Sequence, residues 1–111
     1  MRDDRERLHD MLEAIERIGL HMPATRSVLE HDELAQTWVI HHLEILGEAA
    51  RGASEALRRT YPDLPWLEMA ALRNALAHGY FAIDVERVWT TLERDLPPLE
   101  RRLREILALS R

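Results

Sequence analysis

The chain contains no cysteine, so neither a disulfide framework nor thiolate chemistry is open to it. It contains no lysine either: all 15 basic residues are arginine, the side chain better suited to bidentate phosphate contacts. Four glycines and few β-branched residues weigh against a sheet. No apolar run approaches the roughly 18 residues of a membrane span. Positive charge is also short. The net charge of -5 argues against broad nucleic-acid binding through a basic face, though it leaves room for a local site. The first residues, Met1 to Arg7, are too charged for a secretory signal, and a cytoplasmic location is expected.

What is present is helix-forming. The 111 residues suit one domain over 1–111, with 46% hydrophobic and 32% charged residues. Leu8, Met11, Leu12, Ile15 and Ile18 repeat at helical spacing and predict a helix from Asp3 or Asp4 to Arg17 or Ile18, stopped by Gly19. Ser27 and Glu30 match a capping box and predict a short helical turn starting there. A long helix is expected from about Asp32 to Arg51, ended by Gly52, and its apolar residues spread around much of the surface. Gly47 inside it implies close approach by a neighbouring helix. Ser54 predicts a short capped helix to Arg59, and Pro65 the first position of a helix reaching Ala77. Asp84 is a candidate N-cap for a last helix, which Pro97 and Pro98 must kink or restart. The expectation is an all-α protein, an antiparallel four-helix bundle with short additional helices.

Arg73-Asn74-Ala75-Leu76-Ala77-His78-Gly79-Tyr80 stands apart from this packing pattern. It gathers a cation, an imidazole and a phenol at a helix end, a set able to hold and cleave a phosphodiester. Five positions on an ideal helix leave Arg73 and His78 roughly 140° apart, so the helix must unwind near His78 for both to face one cleft. Gly79 permits that. A helix C-terminus also favours the imidazolium, which suits an acid or base near neutral pH. With 15 arginines and six histidines, one such spacing is near chance, and the pair alone reads as structural. Asn74 and Tyr80 add polar groups that packing does not need.

This block, continued by Phe81-x-Ile83-Asp84, Val88-Trp89 and Asp95-Leu96-Pro97, resembles the HepT toxin family of the HEPN superfamily. Leu46-Gly47-Glu48-Ala49-Ala50 and Pro62-x-Leu64-Pro65-Trp66 match the same family in order and spacing, so the resemblance covers nearly the whole chain. It implies a bundle of HEPN type and a metal-independent endoribonuclease toxin of a type II/VII-like toxin–antitoxin system. No cofactor is implied. Two Arg-x4-6-His motifs meet across a homodimer in that family. Carried over, Arg73 binds the scissile phosphate, His78 is the general acid and base for attack by the RNA 2′-OH, and Asn74 orients the site or binds substrate. The resemblance also implies an MntA-like nucleotidyltransferase antitoxin, able to attach AMP to Tyr80.

Other candidates are weaker. Glu48 needs a partner if enclosed, and Arg73 is the preferred one, giving Glu48 an orienting role. His41 and His42 point about 100° apart on a helix and are poorly arranged to chelate one metal ion. They read as surface or interface residues. Trp38, Trp66 and Trp89 read as core. The alternative to the enzyme is a non-catalytic HEPN subunit that binds nucleotide or substrate for a nucleotidyltransferase. The acidic net charge favours that alternative; the intact His78 favours the enzyme.

Overall fold

The computed structural model describes residues 2–78 and 85–109. Gly79, Tyr80 and Asp84, with the expected cap at Asp84, lie outside the described residues. Every regular element among the described residues is helical: α1 (Asp4–Leu20), α2 (Arg26–His31), α3 (Glu33–Arg51), α4 (Glu55–Thr60), α5 (Trp66–Ala77), α6 (Val85–Thr90) and α7 (Leu96–Leu109), with a π-helical turn over Thr91–Asp95. α3 lies between α1 and α5, and α7 packs against α1. The fold is the expected all-α bundle.

Caps explain most boundaries. The Asp3 side chain accepts from the Glu6 N–H, and the Glu6 side chain returns the bond, a full capping box. Asp32 caps α3 by accepting from Leu34 and Ala35. Ser54 caps α4 by accepting from Leu57. Three boundaries differ from expectation. α1 runs through Gly19 to Leu20, because one helical glycine costs only about 1 kcal/mol and nothing crowds it. α2 starts two residues before the expected box, because Thr25 rather than Ser27 accepts from Val28. Pro65 occupies the cap rather than the first turn of α5.

The tandem prolines act through the π turn. Pro97 and Pro98 have no N–H, and in an α-helix their rings press on the carbonyls four residues back. The Leu96 N–H instead bonds to the Thr91 carbonyl, five residues back. The wider turn relieves the crowding and α7 continues.

The core runs the length of the bundle. Met11, Leu29, Val39, Leu103 and Ile106 are fully buried. Of the three tryptophans read as core, Trp66 is buried, while Trp38 and Trp89 are only partly covered. His42 corrects its expected surface position. It is the buried polar residue of the core, its Nδ1 bonded to the Trp38 carbonyl at 2.8 Å. His41, one residue earlier, is exposed. Ion pairs decorate the outside. Arg102 donates to Asp63 at 2.7 Å, which holds the Asp63 carboxyl below its ordinary range. No described helix is long and apolar enough to cross a membrane.

Candidate active site

The site begins with the missing side chain at Gly47. A Cβ there would lie 2.3 Å from the Arg73 Cβ and 2.8 Å from the Met69 carbonyl oxygen. Backbone therefore meets backbone where α5 crosses α3, as the helical glycine implied. The contact sets the root of Arg73 against α3, one residue from Glu48. The Arg73 Nε reaches the Glu48 carboxylate at 3.3 Å, and this is the expected pair. Glu48 is nevertheless exposed rather than enclosed, and Arg51 approaches the same carboxylate oxygen at 4.0 Å. The Arg73 side chain is 30% exposed: its root is covered and part of its surface meets solvent.

Asn74 links the two chemical groups. Its side-chain oxygen accepts from Arg73 Nη1 at 3.2 Å, while its backbone carbonyl lies 2.8 Å from the His78 Nδ1. A carbonyl can only accept, so Nδ1 carries a hydrogen, and in the neutral ring Nε2 holds the lone pair. α5 ends at Ala77, and His78 itself has left helical geometry at φ -95 and ψ 10. The helix thus unwinds at His78, where the sequence required it. His78 is exposed, at the negative end of the helix dipole. Arg73, Asn74, His78 and Glu48 belong to one connected set of contacts; Tyr80 lies outside the described residues.

The chemistry open to this set is that of anion binding and proton transfer. The guanidinium is already oriented, so it can meet an oxyanion with little rearrangement. The imidazole can give or take a proton. Among the described residues no cluster of three or more metal-ligating side chains occurs, including around His41 and His42. A groove of about 900 Å³ runs between α5 and the α6–α7 arm, and neither Arg73 nor His78 lines it. Sequence reasoning gave Asn74 an orienting role but missed its two separate contacts, the side chain on Arg73 and the backbone carbonyl on His78. It also missed the proximity of Arg51, for which the i, i+3 spacing to Glu48 was the available signal.

A helical bundle carrying an arginine and a histidine on one exposed helix end is the design of a small nucleic-acid-cleaving domain. A family model described as Ribonuclease HepT-like matches residues 11–106. The chain is 37% identical over 109 residues to "Probable ribonuclease HepT" of Thermococcus cleftensis, covering 95% of this chain and 96% of that protein. It is 35% identical over 101 residues to "Putative RNase MJ1380" of Methanocaldococcus jannaschii, covering 90% and 93%. No solved structure matches it. The chain belongs to the HepT-like ribonuclease family.

Proposed function

We propose that this chain is a metal-independent endoribonuclease toxin that works as a homodimer and is neutralised by an MntA-like nucleotidyltransferase. The observation that carries the reading is the joint hold of Asn74 on Arg73 and His78 at the exposed end of α5. The ribonuclease names of its relatives agree with it.

The reaction needs no group beyond these. One His78 takes the proton of an RNA 2′-OH. The 2′-oxygen attacks the adjacent phosphorus, and the bond to the 5′-oxygen breaks. Arg73 neutralises the charge that builds on the non-bridging oxygens. A second imidazole returns a proton to the departing 5′-oxygen, leaving a 2′,3′-cyclic phosphate and a 5′-hydroxyl. One chain offers one such histidine, so His78 of the partner subunit completes the pair. The uncovered face of α5 favours this assembly. Leu67 is 80% exposed, and Ala71, Asn74 and Ala77 follow it on the same side at helical spacing.

Neutralisation follows from charge. AMP groups attached to Tyr80, two residues beyond His78, bring phosphates that compete with RNA for Arg73. The test is expression in cells. Wild type alone arrests growth; Arg73→Ala and His78→Ala do not; co-expression with the neighbouring nucleotidyltransferase rescues growth and adds AMP mass increments that Tyr80→Phe abolishes. Equal growth with wild type and His78→Ala overturns the nuclease reading. The net charge of -5 favours one rival, a nucleotide-binding subunit without catalysis. That rival predicts a dimer that binds nucleotide and leaves RNA intact.

A further inference from the structure

Three rings stand in a row at the other end of α3. Trp38 meets His21 edge-on at 4.8 Å between ring centroids and lies against the buried His42 at 4.3 Å. The indole N–H donates to the Arg17 carbonyl at 2.7 Å, which fixes the ring in place. Beside it opens a pocket of about 450 Å³ lined by His21, Asp32, Leu34, Thr37, Trp38 and His41, with Ala35 at its floor. Leu34 at its rim is 82% exposed, an unusual position for a leucine with no cover.

We infer that this pocket is a nucleobase subsite that takes an amino-bearing base of the RNA strand. The inference rests on the ribonuclease reading. A flat apolar wall with imidazoles on two sides suits a π face, and every base has one. Asp32 selects among bases. Its Oδ1 accepts from the Leu34 and Ala35 N–H groups, and its Oδ2 makes no bond among the described residues. That oxygen can accept from an exocyclic amine, which adenine has and uracil lacks. The carboxylate also repels phosphate, so the base rather than the backbone enters.

Position connects the pocket to the chemistry. His41 and Glu48 are seven residues apart on α3, two turns along one face, and both are exposed. Trp38 is ten residues from Glu48, about 15 Å at 1.5 Å per residue. Glu48 holds Arg73. A strand with one phosphate on Arg73 therefore reaches the pocket with a base about four to five nucleotides away, at the roughly 3.4 Å spacing of a stacked strand.

The test measures binding of labelled hexaadenylate and hexauridylate by anisotropy, using the full chain with His78→Ala so that RNA is not cut. Hexaadenylate is expected to bind about tenfold more tightly than hexauridylate. Trp38→Leu should abolish that preference, and the exposed His41→Ala should reduce it without altering the fold. Asp32→Asn keeps the helix cap and should narrow the preference too. Equal affinity for the two RNAs overturns the inference, as does a preference unchanged in Trp38→Leu and His41→Ala. Conversion of the dimer to monomer by His41→Ala also overturns it, because the pocket then serves a protein partner. Wild-type cleavage is measured in parallel. RNA cut normally by wild type while the binding preference is absent sinks the subsite alone; RNA neither bound nor cut by wild type sinks the ribonuclease reading with it.

Discussion

α3 makes two seams, and they are built on opposite rules. It packs on α1, and the buried residues of the two helices, Val39, Leu43, Leu46 and Ala50 on α3 and Leu8, Met11, Ile15 and Ile18 on α1, are all apolar. Toward α5 it presents Gly47, and there the neighbouring helix comes so near that no Cβ fits. The first seam excludes water and gives the bundle its stability. The second brings a charged side chain, Arg73, against α3 and leaves its guanidinium part-exposed beside Glu48. Stability and chemistry are thus divided between the two flanks of one helix.

That division can be broken from either side. Met11→Ala opens a cavity in the α1 seam and is expected to cost about 2–5 kcal/mol in denaturant unfolding. The molecules that remain folded should retain their cleavage rate. Gly47→Ala forces the α5 seam apart. Overpacking of about 1–3 kcal/mol outweighs the helix propensity gained, because the clash falls on Met69 backbone and the Arg73 Cβ. Here the loss of activity should exceed the loss of stability. Stability lost with activity intact would show that the crossing does not position Arg73.

Glu48→Gln sharpens the comparison. Both side chains are exposed enough that the melting temperature should barely move. A guanidinium left without its partner is less well aimed, and cleavage should fall by up to about 10²-fold. Unchanged cleavage would assign Glu48 to the surface. Gly19→Ala is the control glycine. Nothing lies within 4 Å of the added Cβ, so the variant should gain up to about 1 kcal/mol with activity unchanged. The smallest effect belongs to the Asp63–Arg102 pair. Its carboxyl is depressed by the Arg102 hydrogen bond from a reference of 3.8, so the contribution exists above that pH and disappears as pH falls through the lower folded value. Arg102→Met should lower the melting temperature slightly at pH 7 and not at pH 2.

The long helices were legible because period and caps agreed: Asp3, Asp32 and Ser54 each stand directly before an apolar repeat. The close approach at Gly47 was legible for a related reason, since a glycine inside a helix asks for a close neighbour; that Arg73 supplies it was not. Other features depend on choices that local sequence leaves balanced. Thr25 and Ser27 are both good caps, and only the path of the chain decides between them. Two prolines demand that a helix yield, yet a kink, a break and a π turn all satisfy them. His41 and His42 look alike in the sequence; a 100° rotation exposes one and buries the other. In the site, the pairing of Arg73 with Glu48 could be anticipated from residue type. The fastening of His78 to Asn74 could not, although the end of α5 at Ala77 could: residue type does not say which carbonyl a ring nitrogen meets.

The most direct test is cleavage of single-stranded RNA by the purified chain in a chelating buffer, beside His78→Ala of equal helicity. The account predicts cyclic-phosphate products from wild type and a loss of at least about 10²-fold in the variant. Equal rates in the two proteins would contradict it.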